Sequence, residues 1–162
     1  MRGPRELKAK PPSSWGKTVA YLGLGSNLGS RARNLSAARR RLRQTGARIL
    51  RQSRVIETEP WGVKDQPRFL NQVVEVEWHG SPRQLLAAAK AVEREGGRKQ
   101  TRRWGPRVID VDILLFGTEK VNEKDLQIPH PRIAERRFVV AGLMELGAGG
   151  VATPGPQALL SR

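Results

Sequence analysis

Two aspartates, Asp110 and Asp112, stand one residue apart inside an otherwise apolar run over residues 108–116. A carboxylate costs several kcal/mol to desolvate unless it is paired or binds a cation. In a β-strand the side chains alternate, so residues 110 and 112 share one face, about 7 Å apart along the backbone. Two oxygen ligands on a rigid element are what a hard cation such as Mg²⁺ requires. They can share one ion or serve a pair about 4 Å apart. The competing reading pairs each carboxylate with one of the chain's many arginines.

The neighbouring residues turn this pair toward phosphate chemistry. Residues 97–107, GRKQTRRWGPR, carry Arg98, Lys99, Arg102, Arg103 and Arg107 directly before the strand. Residues 128–138 add His130, Arg132, Arg136 and Arg137. Guanidinium groups beside a Mg²⁺ site neutralise the same polyphosphate that the ion binds. His130 reads either as a donor to a phosphoryl oxygen or as a turn histidine. A third group is aromatic: Trp61, Phe69, Trp104 and Phe138, with Asn71 close to Phe69 in sequence. Such rings can sandwich a flat ligand, and an amide can read its edge. Core packing is the alternative for Phe69 and Phe138. The glycines of GLGSNLG, residues 23–29, miss both the dinucleotide and the P-loop spacings. They read as a turn, with Ser26 and Asn27 supplying local hydrogen bonds. His79 also reads as a turn residue.

The elements that must hold these groups follow from periodicity. Residues 18–25 read as a buried strand. Residues 30–47 form a helix with Leu35, Ala38 and Leu42 inward. Residues 48–60 read as one second strand closed by Pro60. The third strand alternates, with Val74, Val76 and Trp78 on one face and Val73, Glu75 and Glu77 on the other. Ser81 as N-cap and Pro82 in the first turn start a second helix whose inner stripe is Leu85, Ala89 and Val92. Residues 108–117 make the fourth strand, with Ile109, Val111, Ile113 and Leu115 expected to face the helices. A last helix carries Phe138, Val139, Leu143 and Leu146. The order β-α-β-β-α-β plus a C-terminal helix predicts an α+β, ferredoxin-like antiparallel sheet with two helices on one face.

The totals agree with a single domain. The chain has 162 residues, no cysteine and a net charge of +15. Without cysteine, disulfides and thiolate metal sites are excluded. No apolar stretch is long enough to span a membrane, and a cytoplasmic protein is expected. Residues 1–17 read as a basic disordered arm, 18–146 as the folded domain and 147–162 as a loose tail. The positive field attracts polyanions, whether nucleic acid, anionic lipid or a polyphosphate substrate. The third strand lacks the aromatic pattern of RNA-recognition domains, so nucleic acid is not expected beyond non-specific charge attraction. Nothing calls for an oligomer.

Taken together and in order, YLGLGSNLG, DQPRFLNQVVEVEW, GRKQTRRWGPRVIDVDILLFG and IPHPRIAERRFV resemble the 6-hydroxymethyl-7,8-dihydropterin pyrophosphokinases of folate synthesis. The resemblance implies transfer of pyrophosphate from ATP to the dihydropterin with two Mg²⁺ ions, and release of AMP. It implies Asp110 and Asp112 as metal ligands, and Arg98, Arg107, His130 and Arg136 on the triphosphate. Glu93 and Ile113 fall at the nucleotide. Thr58, Pro60, Phe69, Asn71 and Phe138 match the pterin pocket, with Trp61 and Trp104 in covering loops. Lys90, Gln100 and Arg68 depart from the family pattern.

Overall fold

The structure, a computed structural model, describes residues 15–60, 62, 65–97 and 107–148. Five strands form the main sheet. β1 (Lys17–Ser26), β2 (Arg48–Gln52), β3 (Ile56–Thr58), β4 (Phe69–His79) and β5 (Asp110–Phe116) are joined through helices α1 (Arg31–Gln44) and α2 (Pro82–Glu95). The spatial order is β2-β4-β1-β5, every pairing is antiparallel, and β3 continues the β2 side along β4. This is the ferredoxin-like arrangement that the element order predicts. A hairpin, β6 (Val121–Glu123) and β7 (Leu126–Ile128), and a short 3-10 turn precede α3 (Arg137–Glu145). No helix among the described residues is long and apolar enough to cross a membrane.

The two faces of the sheet bury different clusters. Leu22, Leu24, Val74, Val76, Ile109, Val111 and Ile113 meet Leu35, Ala38 and Leu42 of α1 and Leu85, Ala89 and Val92 of α2. The inner stripes are those read from the helical period. The start of α2 is held by a reciprocal cap: Ser81 Oγ accepts from Gln84 N, and Ser81 N donates to the Gln84 side chain. On the opposite face α3 covers Tyr21, Val73, Leu114 and Leu115 with Val139, Val140 and Leu143. That cover ends where Phe138 begins α3, and the rest of the face is left to the site.

The structure corrects two expectations. The second strand is two pieces. Ser53 still bonds Val73 through its backbone and hydroxyl, but the Arg54 amide turns away to the Glu145 carboxylate, and the ladder resumes at Ile56. Leu115 faces α3, not α1 and α2. Tyr21 pairs with Leu115 and Leu22 with Ile113, so Leu114 is an extra residue that reverses the alternation. Trp15 sets its ring edge-on to Phe116 at 6.1 Å, and Ala148 is fully buried.

Two features fix α3 on the sheet, and each yields a prediction. A Cβ at Gly142 would lie 2.5 Å from Val73 Cγ2 and 2.9 Å from Val73 Cβ. Gly142→Ala therefore forces α3 off β4 and is expected to cost about 2 kcal/mol, read as a lower unfolding midpoint. An unchanged midpoint would show that α3 does not rest on this contact. Glu75, buried on β4, accepts from Tyr21 Oη at 2.6 Å and from Arg51 Nε and Nη2, each at 3.0 Å. Arg51 also donates to the Leu146 carbonyl at the end of α3. Arg51 holds the Glu75 carboxyl below its usual range. Tyr21 is pushed up to about 12, first by burial and then by its bond to Glu75.

A phenol that holds its proton more tightly when folded stabilises the fold fully below its ordinary value of 10.0 and loses that contribution as pH rises through about 12. Tyr21 is the only tyrosine in the chain, so tyrosinate absorbance reports it directly. The native protein should titrate well above the urea-unfolded chain. Coincident curves would deny the buried bond.

Candidate active site

Strand alternation delivers Asp110 and Asp112 to the face that α3 leaves bare. Across the ladder their partners are Gly25 and Gly23. Neither glycine carries a side chain, so neighbouring side chains can close over the strand beside the two carboxylates. Gly23 has the Leu114 side chain 3.5 Å from where its Cβ would be, and Gly25 has Asn71 Oδ1 at 3.1 Å and Phe69 at 3.5 Å. These glycines belong to β1 and line the site, which corrects their reading as a turn. The signal was present: a Gly-x-Gly spacing matches one strand face, as the Asp-x-Asp spacing does.

The opening is a cavity of about 550 Å³. One wall is charged. Asp110 and Asp112 line it with Arg107, His130, Arg132, Arg136 and Arg137. Arg107 Nε lies 3.6 Å from Asp110 Oδ1, and Arg136 Nη1 lies 3.8 Å from Asp112 Oδ2. Both guanidinium groups are largely buried. The carboxylates are more open, with Asp112 showing 42% of its side chain. His130 Nδ1 accepts from the Arg132 amide at 3.1 Å, so Nε2 carries the proton of the neutral ring. Burial holds its pKa below the ordinary value; Asp112 opposes this, while Arg136 and Arg132 reinforce it. At neutral pH His130 is an uncharged donor.

The other wall suits a flat ring. Thr58, Phe69, Asn71 and Phe138 line it. Asn71 Nδ2 donates to Thr58 Oγ1 at 2.6 Å. That bond orients the amide and leaves Oδ1 over Gly25. Phe138 packs on the α3 cluster and stands two residues after Arg136. The two walls therefore share one helix start.

Glu93 of α2 is almost fully buried. Its Oε2 accepts from the Val111 amide at 2.8 Å, and Lys90 Nζ approaches Oε1 at 3.8 Å. Glu93 and Lys90 both line the cavity. Lys90, Asp112 and His130 also border an adjoining hollow of about 240 Å³, walled by Leu86, Ile113, Leu126 and Pro131. Ile113 thus sits at that hollow, with its side chain in the helix-side core, and does not line the main cavity. Pro60 is buried at the end of β3 without lining the cavity. Arg98, Trp61 and Trp104 lie outside the described residues, as do Lys99, Gln100 and Arg102.

Asn27 does more than serve its own turn. Its Nδ2 donates to Gln66 Oε1 at 2.8 Å and to the Pro67 carbonyl at 2.9 Å. Its Oδ1 accepts from the Arg107 amide at 2.7 Å, and its own amide donates to the Arg107 carbonyl at 3.0 Å. One buried side chain thus ties together the end of β1, the approach to β4 and the approach to β5.

Among the described residues no three His, Cys, Asp or Glu side chains converge as a ready metal cage. Two carboxylates with open coordination fit Mg²⁺ nonetheless, because that ion completes its shell with water and substrate phosphate oxygens.

Carboxylates and guanidinium groups line one wall of this cavity, and aromatic rings with an amide line the other. A family model described as 7,8-dihydro-6-hydroxymethylpterin-pyrophosphokinase (HPPK) matches residues 21–148. The chain belongs to the HPPK family. It is 43% identical over 129 residues to the 2-amino-4-hydroxy-6-hydroxymethyldihydropteridine pyrophosphokinase of Bacillus subtilis, covering 79% of this chain and 77% of that one. It is 46% identical over 125 residues to the mitochondrial folate synthesis bifunctional protein of Pisum sativum, covering 77% of this chain but 24% of the pea protein. The fold is shared with the Plasmodium falciparum HPPK-DHPS crystallised with pteroate, at TM-score 0.63 and 16% identity, over 79% of this chain and 38% of that one.

Proposed function

We infer that this chain transfers the β,γ-pyrophosphoryl group of ATP to the hydroxymethyl oxygen of 6-hydroxymethyl-7,8-dihydropterin. The hydroxyl oxygen bonds to the β-phosphorus, the bond from that phosphorus to the oxygen bridging the α-phosphate breaks, AMP leaves with that oxygen, and the hydroxyl proton goes to solvent. One observation carries the reading. Asp110, Asp112, Arg107, His130 and Arg136 line the same cavity as Thr58, Phe69, Asn71 and Phe138, with Arg136 and Phe138 two residues apart in sequence.

The chain's residues work mainly by positioning and by neutralising charge. Asp110 and Asp112 would hold two Mg²⁺ ions, which supply positive charge to the triphosphate when bound. Arg107 and Arg136 face the transferring group, and His130 donates Nε2–H to a phosphoryl oxygen. Asn71, oriented by Thr58, reads the pterin edge while Phe69 and Phe138 flank its plane. The nucleotide base lies toward Glu93 and the hollow beside Ile113, and Lys90 stands between base and phosphates. Arg98, Trp61 and Trp104 take the triphosphate and covering roles implied by the family pattern. Nothing in the sequence calls for an oligomer, and the enzyme works as a monomer. Its small, water-soluble substrates suit the cytosol.

The test is product analysis. Incubation with ATP, Mg²⁺ and the dihydropterin should release AMP in step with a pterin diphosphate, and only when both substrates are present. Release of inorganic phosphate without AMP would instead identify a phosphoesterase.

A further inference from the structure

Helix α1 carries six arginines and no acidic residue. Three of them have partners elsewhere in the fold. Arg31 bonds Glu57, Arg39 bonds Gln72, and Arg41 lies 4.0 Å from Glu95. Arg33, Arg40 and Arg43 are exposed, with no ion pair to any described carboxylate. Their spacings of seven and three residues put them on one side of the helix, over a rise of about 15 Å. Arg48, just beyond the helix, extends the same charge along the edge strand β2 and remains mostly exposed beside Glu77.

This is a crowded arrangement of like charges. Arg39 and Arg43 stand four residues apart, a spacing at which like charges repel. The pKa of Arg39 is held down first by burial and then by Arg43. No described carboxylate pairs with Arg33, Arg40 or Arg43, so this face is open to an anion from outside the chain. The ATP site cannot provide it, because no residue of α1 lines the cavity. A lipid surface fits poorly. The apolar stripe of α1, Leu35, Ala38 and Leu42, is fully committed to the core, so no apolar side is left to enter a bilayer.

What remains is a row of guanidinium forks, with no lysine between residues 31 and 54. Such forks match phosphate oxygens two at a time. We propose that the outer face of α1, through Arg33, Arg40 and Arg43, binds the phosphate backbone of a nucleic acid without regard to base sequence. No aromatic side chain occurs in α1 on which a base could stack, so recognition is of the backbone alone.

The experiment uses the full chain with its active site filled by Mg²⁺ and a non-hydrolysable ATP analogue. Fluorescence anisotropy follows binding of a labelled short RNA strand and, separately, a DNA duplex of matching sequence over a salt series. The variant is Arg33→Gln/Arg40→Gln/Arg43→Gln, all exposed positions outside the cavity. In wild type, log affinity should fall linearly with log salt. In the variant that slope should be shallower by about two to three, and low-salt affinity should drop at least about tenfold, with AMP release unchanged. RNA or DNA meeting this result supports the proposal and identifies the source of the phosphates. Equal slopes and affinities for wild type and variant would overturn it. So would capture on phosphatidylserine vesicles in the absence of any binding to either nucleic acid.

Discussion

Asp112→Ala is expected to lower turnover by about three orders of magnitude or more while the protein stays folded. The carboxylate is half-open to the cavity, and its backbone pairing with Gly23 does not depend on the side chain. Truncation therefore leaves no buried hole in the core. The electrostatics change sharply. Arg136 loses the carboxylate 3.8 Å from its Nη1, and the Mg²⁺ site proposed for Asp110 and Asp112 loses one of its two carboxylates. Asp112→Asn keeps the shape and removes the charge, so it should fail nearly as badly. A coupled AMP-release assay reads the rate, and the thermal midpoint, close to that of wild type, confirms the fold. Turnover like wild type in either variant would remove Asp112 from the chemistry.

Asn27→Ala should damage both fold and activity, by a different route. Three side-chain hydrogen bonds disappear, to Gln66, to the Pro67 carbonyl and from the Arg107 amide. Backbone groups left without partners at a largely buried position cost more than the bonds contributed in net terms. We expect a loss of about 3 kcal/mol and a midpoint lower by about 10 °C. Arg107 is the residue released, and its guanidinium sits 3.6 Å from Asp110. The remaining folded enzyme should show kcat/KM reduced by about tenfold or more. Asn27→Asp, which keeps the acceptor for the Arg107 amide but not the donor, should retain more activity than Asn27→Ala. Equal activity in the two variants would mean that holding Arg107 is not what Asn27 contributes.

These two residues show what a sequence can and cannot disclose. Asp112 was legible because alternation along a strand is local: two carboxylates in an apolar run must share a face wherever the strand lies. The helix stripes and the Ser81 cap were legible for the same reason. Asn27 was read as a local turn residue because its partners stand 39, 40 and 80 positions away, and no short-range pattern announces them. The break in the second strand has a similar origin, since the carboxylate that draws off the Arg54 amide belongs to Glu145. The bulge at Leu114 was hidden by its company. In a run where every neighbour is apolar, an inserted residue leaves no mark on the hydropathy pattern. The last helix was visible, but not that it would cover half of the second face and present Arg136 and Phe138 to the cavity. Gly23 and Gly25 match no nucleotide fingerprint, because their meaning lies in what they face across β1 and β5.

That pairing reaches beyond shape. β1 is hydrogen-bonded on both flanks, by β4 and by β5, so the bare glycine strip and the acidic pair hang on the same ladder as the central sheet. Their separation is a backbone constant, and side-chain rearrangement cannot widen it. Heat or denaturant should therefore extinguish the chemistry only as the whole molecule melts, and the two losses should trace one curve.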